Sequence, residues 1–300
     1  MGWRSVMISR PAKLRREHFS LAIEQEQTAF VPFEDIAVIV LNHREINLSH
    51  PVLSACAEYG ISLFSTGDNH QPSGVFLPFL SHSRTHRLLR KQLDVARPLA
   101  KQAWANIVRR KIENQATCLR LAGCQDVDRL ESYARRVRSG DPENLEGQAA
   151  AIYFVQLYGP GFHRAEERWI NAALDYGYAV LRGAIARGLV AHGLHPTVGL
   201  FHDSEQNAFN LADDLIEPFR PLVDLHVRKS VTTVEGDLTP ADKAALVALL
   251  NVDVAMPQGK MSALSAIEYA VESLARLFET DDSALELPAL IGLQPHRLEC

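Results

Sequence analysis

The most restrictive feature of this sequence is a change in hydrophobic period between residues 70 and 82. Before this point, short apolar segments with partial alternation are typical of β-strands. After it, apolar residues recur every three or four positions, as they do along one face of a helix. The sequence therefore predicts an α+β fold, in which a small β-sandwich-like N-terminal domain is followed by a larger all-α C-terminal domain.

The N-terminal domain has its clearest strand at residues 36–41, which form a β-branched apolar run. Further strands are predicted at 6–8, 19–23, 28–32 and 61–65, and a short helix at 51–59 with Ser49 as its cap. A cluster of turn-forming residues at 67–74 follows. We therefore expect residues 1–75 to form this domain and residues 76–82 to form a linker.

The C-terminal domain, expected over residues 83–285, is predicted from long segments of helical period. One apolar stripe runs from residue 89 to residue 107, and Pro98 within it is expected to break or kink the helix. Further helices are predicted at 146–157, 169–192, 208–217, 240–250 and 262–278. Residues 286–300, which include Pro288 and Pro295, are expected to form an irregular tail.

The formal net charge of −5 argues weakly against nucleic-acid binding, because phosphate attracts basic surfaces. The charge is unevenly distributed, however, since residues 84–120 contain only Asp94 and Glu113 as acids. The basic residues of this segment, called here the basic arm, are Arg84, Arg87, Arg90, Lys91, Arg97, Lys101, Arg109, Arg110, Lys111 and Arg120. The arm favours contact with nucleic acid, and the alternative is a solvated helix face.

The sequence has neither an apolar stretch long enough to span a membrane nor an apolar signal-peptide core near its N-terminus. We therefore expect a cytoplasmic location.

Acidic residues around position 214 form the first candidate site. Asn210, Asp214 and Glu217 share one face of a helix, and Pro218 is expected to end or bend that helix after Glu217. Clustered carboxylates repel one another unless a cation lies between them. With an imidazole from His202 in the preceding loop, the set suits Mn²⁺ or Mg²⁺. The alternative is a solvated acidic face beside a loop histidine without a special role.

A second candidate residue is Glu146, which follows Asp141 and Pro142 and so lies near the first turn of a helix. A glutamate there is also what the helix dipole favours, so its position alone is explained by helix stability.

Several motifs occur together in a recognisable order. They are EGQAA at 146–150, YGPGFHR at 158–164, NAALDYGY at 171–178, GLHP at 193–196, GLFH at 199–202 and DDLIEPFRP at 213–221. In this order they resemble the CRISPR-associated integrase family, the universal spacer-acquisition subunit. The chain looks most like the version that accompanies a single-protein RNA-guided effector.

The resemblance implies a β-sandwich joined to a helical domain, and a metal-dependent endonuclease that inserts short DNA fragments into a CRISPR array. Its metal ligands carry over to Glu146, His202 and Glu217, which would hold Mg²⁺ or Mn²⁺. Asp214 matches an acidic catalytic position. Arg220 matches a basic position.

The resemblance also implies partners and contacts. The partners are double-stranded DNA, a second copy of the chain bound through the β-rich domain, and a small ferredoxin-like CRISPR protein that completes a heterohexamer. The expected DNA contacts are Arg84, Arg87, Arg90, Lys91, Arg109, Arg110, Arg164 and Arg220.

Two other functions remain open at this stage. A general metal-dependent nuclease acting on branched DNA in repair would use the same ligands. A non-catalytic binding scaffold would need none of them, because its acidic helix would only be solvated. A helical regulator has less support, because the sequence has no helix-turn-helix spacing.

Overall fold

The computed structural model describes residues 4–67, 72–78, 82–164, 166, 169–230, 236–280 and 284–297. Residues 68–71 of the expected turn cluster, 79–81 of the expected linker and 298–300 of the expected tail lie outside the described residues. No helix in the described part of the chain is both long and apolar enough to cross a membrane.

The N-terminal region consists of two four-stranded sheets and one helix. One sheet has the order β1-β5-β7-β8 and is parallel except for β8, and the other has the order β4-β3-β2-β6. The elements are β1 (Arg4–Ile8), β2 (Ala12–Glu17), β3 (Ser20–Glu24), β4 (Thr28–Pro32), β5 (Ile36–Leu41), β6 (Ile46–Leu48), α1 (His50–Glu58), β7 (Ser62–Thr66) and β8 (Pro72–Phe76).

Strand β5 is apolar along its length because it is buried on both faces. Ile36 and Ile39 belong to a small core that both sheets share with α1, whereas Val38 and Val40 pack into the large core of the helical region. The two regions are therefore joined through one sheet. The helix Trp169–Ala191 approaches Phe64 of β7 so closely that a Cβ at Gly183 would lie 1.9 Å from the phenyl ring.

The helical region contains α2 (Thr85–Leu93), α3 (Arg97–Ala122), α4 (Val127–Arg136), α5 (Leu145–Tyr158), α6 (Trp169–Ala191), α7 (Asn210–Leu215), α8 (Arg220–Ser230), α9 (Pro240–Ala248) and α10 (Ala263–Thr280). The apolar stripe is divided between α2, which ends at Leu93, and α3, which begins at Arg97, so the helix is broken just before Pro98 as predicted. Pro98 itself lies in the first turn of α3, where its missing N–H costs nothing.

The C-terminal region is rich in helix but is not all-α, so that prediction is wrong. A three-stranded antiparallel sheet in the order β10-β9-β11 is formed by β9 (Val252–Met256), β10 (Gly259–Ser262) and β11 (Ala289–Pro295). The signal was present, because Val252, Val254 and Met256 alternate and are buried. The expected irregular tail likewise contains β11, which becomes a strand only by pairing with β9.

Candidate functional site

Glu146 lies in the first turn of α5, and two side chains before it fix that turn. The carboxylate of Asp141 accepts hydrogen bonds from the backbone N–H groups of Leu145 at 2.9 Å and Glu146 at 3.0 Å. Asn144 accepts a third, from Gly147 at 3.2 Å. The first N–H groups of a helix have no carbonyl partner within the helix, and here Asp141 and Asn144 accept their hydrogen bonds. This capping fixes the start of α5 and thereby the backbone position of Glu146.

Lys111 of α3 is the residue that joins the two candidate carboxylates. Its ammonium contacts both Glu146 and Glu217, and the lysine is only 7% exposed. Burial alone would lower the pKa of Lys111, but the charges of Glu217 and Glu146 outweigh burial and raise it. The lysine is therefore charged, and it is the cation on which carboxylates from two separate elements converge.

Glu217 lies in the turn between α7 and α8, two residues after α7 ends at Leu215. The helix therefore ends earlier than predicted, and the prediction that Glu217 shares a helix face with Asn210 and Asp214 is wrong. Its carboxylate is buried and also pairs with Arg220, whose Nε lies 3.1 Å from Oε1. Burial would raise the pKa of Glu217, but Lys111 and Arg220 lower it below its ordinary value. An ionised carboxylate is therefore held in a nearly dry position.

His202 is held by Asp214, a fully buried carboxylate. Asp214 Oδ1 lies 2.7 Å from His202 Nδ1, and the same carboxylate accepts the backbone N–H groups of Leu200, Phe201 and His202. With Nδ1 used in this way, Nε2 of the neutral imidazole is the nitrogen left to bind a ligand. The hydrogen bond to Asp214 also raises the pKa of His202.

The arrangement suits a divalent cation in its chemistry. Carboxylate oxygens and one imidazole nitrogen are donors that Mg²⁺ and Mn²⁺ accept, and Glu217 and His202 are close enough to shift each other's pKa. Within the described residues, however, no three such side chains already lie together as a metal site. The Lys111 ammonium is the cation between Glu146 and Glu217, so a metal would have to displace it.

The comparisons with known proteins agree with the predicted family. The model of the family described as CRISPR associated protein Cas1 matches residues 6–243. The sequence is 41% identical over 304 residues, 100% of both chains, to the CRISPR-associated endonuclease Cas1 of Neisseria meningitidis serogroup C (strain 8013). The chain belongs to the Cas1 family. A Cas1 endonuclease of Thermus thermophilus is 38% identical over 124 residues, 37% of this chain and 39% of that protein.

Solved structures share the fold of this Cas1-family chain. A casposase bound to integration product superposes with a TM-score of 0.73 at 19% identity, over 95% of this chain and 92% of the casposase. A Cas1 protein from Thermotoga maritima gives a TM-score of 0.73 at 19% identity, over 92% and 97% of the two chains. A chain of a partial Cas6-RT-Cas1–Cas2 complex gives 0.66 at 16% identity, over 98% and 100%.

The basic residues expected to contact DNA fall into two groups. Arg84, Arg87, Arg90 and Lys91 are exposed on or beside α2, where a cavity of about 460 Å³ is lined by the last three of them together with Phe278 of α10. Of these, Arg87 also lies 3.8 Å from Glu279. The other expected contacts have closer partners within the protein. Arg109 donates to Val137, Arg110 pairs with Glu113, Arg164 pairs with Asp175, and Arg220 pairs with Glu217.

Three residues of the site were missed in the sequence. Lys111 was assigned to the basic arm. Neither Trp104, whose ring lies 5.8 Å from that of His202, nor Asn114, whose amide donates to the Pro218 carbonyl at 2.7 Å, was predicted to contribute to the site. These three residues lie with Ile107 and Cys118 on one buried face of α3, at spacings of three and four residues. A lysine and an asparagine within an otherwise apolar stripe were the signal that could have identified them.

Proposed function

We propose that this Cas1-family protein joins the 3′-hydroxyl of a short DNA fragment to a phosphodiester in a CRISPR array. The observation that carries the proposal is the convergence of Glu146 and Glu217, from separate elements, on one cation beside His202. The relationship to the Neisseria endonuclease and the fold shared with a casposase bound to integration product support the same chemistry.

Glu146, His202 and Glu217 would hold Mg²⁺ or Mn²⁺, which supplies positive charge to offset the charge that builds on the phosphate oxygens. In the neutral imidazole, the hydrogen bond between Nδ1 and Asp214 fixes the orientation of the His202 ring and leaves Nε2 as the unprotonated nitrogen. Lys111 offsets part of the charge of the two carboxylates and would have to move aside for the cation to be held there. The attacking hydroxyl belongs to DNA, so positioning and electrostatics are the main contributions of the protein.

DNA would approach along the exposed part of the basic arm on α2, because these exposed side chains can follow a phosphate backbone, and the contact of Arg87 with Glu279 at 3.8 Å is long and lies at the surface. The two-sheet N-terminal region, packed as a sandwich, would form the homodimer. Since one neighbour in fold is a chain of a Cas6-RT-Cas1–Cas2 complex, a small ferredoxin-like Cas2 partner would complete a heterohexamer. This assembly would act on chromosomal DNA in the cytoplasm, beside a single-protein effector system.

The test is a strand-transfer assay. A labelled short duplex with free 3′-hydroxyl ends is incubated with a supercoiled plasmid carrying a repeat array, Mn²⁺ and the partner protein. Wild type is compared with Glu146→Ala and with Glu143→Gln, a control in the same loop whose carboxylate pairs with Arg136 and Arg138. Joined product should form with wild type and the control, and disappear with Glu146→Ala or a chelator.

The other outcomes identify the competing functions. Cleavage of branched DNA without any joining to the array would show a repair nuclease with the same ligands. Binding without cleavage or joining, equal in wild type and Glu146→Ala, would show a scaffold.

A further inference from the structure

Phe201, next to the candidate ligand His202, is exposed although it is a large apolar side chain. Its exposed fraction is 56%, among the highest of the large hydrophobic residues in the described part of the chain. A single exposed apolar side chain is common on protein surfaces and does not by itself indicate a function. What distinguishes Phe201 is its set of neighbours, the buried Trp104 on one side and the candidate ligand His202 beside it.

The ring of Phe201 is stacked on Trp104 of α3. The ring centroids are 4.3 Å apart and the planes differ by 1°. Trp104 is only 3% exposed, so it is anchored in the core and supports one face of Phe201. Because Trp104 covers one face of the phenyl ring, we attribute the exposure of Phe201 to the opposite face. That face offers a flat apolar surface to a ligand.

The loop that carries Phe201 is held in one conformation. The carboxylate of Asp214 accepts the backbone N–H groups of Leu200 at 2.6 Å and Phe201 at 3.1 Å. The turn is so tight that a Cβ at Gly199 would lie 2.2 Å from the carbonyl oxygen of His202. A ring fixed in this way loses little conformational freedom when a ligand stacks on it.

Phe201 and the candidate metal ligand form one unit. The His202 ring lies edge-on to both Phe201 and Trp104, with centroid distances of 5.8 Å in each case. A nucleotide whose phosphate lies at His202 would therefore bring its base, or the base of its neighbour, beside the exposed ring. Bases within a duplex are already stacked on both faces, so the available partner is an unpaired base.

We infer that Phe201 is a stacking platform for an unpaired nucleobase of the DNA strand whose phosphate lies at Glu146, His202 and Glu217. This inference rests on the proposed function. Because every base has an aromatic face, the platform tolerates any sequence but requires a base to be present. Phe201 would therefore select DNA with unpaired nucleotides at the reacting position over a fully paired end.

The test is an abasic scan of DNA binding without metal. Duplexes with unpaired 3′ ends carry a fluorophore at the other end and a single abasic site that is moved one nucleotide at a time along the unpaired strand. Affinities are measured in chelator by fluorescence anisotropy for wild type, Phe201→Ala and Phe201→Tyr. The matched control is Tyr269→Ala, which removes an aromatic side chain, 38% exposed, from α10.

The affinity for DNA should fall about tenfold when the abasic site replaces the base that stacks on Phe201, and this loss should be seen with wild type, Phe201→Tyr and Tyr269→Ala. Phe201→Ala should bind the intact DNA about tenfold more weakly and show no further loss at that position. Equal abasic losses in wild type and Phe201→Ala would overturn the inference while leaving the proposed function intact. Failure of wild type to bind any of these duplexes would also overturn the inference, whereas the proposed function is tested separately by the strand-transfer assay in Mn²⁺.

Discussion

Replacement of Lys111 by methionine tests whether this lysine stands where a divalent cation binds. The change removes the ammonium that contacts Glu146 and Glu217 but keeps a side chain of similar length. Lys111 and Glu217 are both buried, so the variant leaves a buried carboxylate without its principal cation. Breaking a buried ion pair by removing one partner costs about 3–5 kcal/mol.

That loss corresponds to a measurable change in melting temperature. The unfolding entropy is ~2.1 cal/mol/K per residue, so for a chain of 300 residues each kcal/mol of lost unfolding free energy lowers Tm by about 1.6 °C. The Tm of the variant should therefore fall by roughly 5–8 °C in chelator. Mn²⁺ at about 100 times its dissociation constant adds about 2.7 kcal/mol. The variant should gain more from Mn²⁺ than wild type does, because in wild type the metal must first displace Lys111.

The measurement is thermal unfolding of wild type and Lys111→Met with chelator and with a series of Mn²⁺ concentrations. Lys243→Met is the matched control, because Lys243 is also buried but lies against the Tyr176 ring. The control should change Tm by the same amount with and without Mn²⁺. The reasoning is refuted if the difference in Tm between Lys111→Met and wild type is unaffected by Mn²⁺, or if Lys111→Met is as stable as wild type in chelator.

Contacts of Asp214, Asn114 and Asp224 lead to three more predictions. Asp214→Asn should weaken Mn²⁺ binding measured by calorimetry about 10–100-fold, because Asp214 orients His202; unchanged affinity would contradict this. Asn114→Ala should lower the free energy of unfolding, measured in urea, by about 2–4 kcal/mol. The reason is that the Asn114 amide donates to the Pro218 carbonyl at 2.7 Å and so joins the turn after Glu217 to α3. A loss below about 1 kcal/mol would exclude that role. Burial raises the pKa of Asp224 to about 6 from 3.8, so its stabilising contribution is complete below pH 3.8 and lost as the pH rises through 6. Asp224→Asn should therefore gain ~3 kcal/mol relative to wild type between pH 4 and pH 7 in urea titrations, and an equal pH dependence of the two proteins would contradict the assignment.

Local sequence predicted most of the helices and the strands β1, β3, β4, β5 and β7, but it did not predict β2, β6, β8, α4 or α8. The helix expected at 169–192 is observed at Trp169–Ala191, and that expected at 262–278 at Ala263–Thr280. Periodicity identified these segments because each buries one continuous face. It failed for β11, because Pro288 before the strand and Pro295 at its end indicated irregular structure, whereas the strand forms through its pairing with β9.

The sequence by itself also determined the family and the identity of the candidate ligands, because the motifs around Glu146, His202 and Glu217 occur in a distinctive order. Only the tertiary structure decided how these residues are held. In the sequence, Lys111 is one of several basic residues of the basic arm. Its contacts with Glu146 and Glu217 exist only because α3 packs between α5 and the turn after α7. Trp104 becomes the support for Phe201, and Asp214 the anchor of the His202 loop, by contacts between elements far apart in sequence. Spacing along a helix shows which side chains share a face, but the partner that this face meets depends on how distant segments pack.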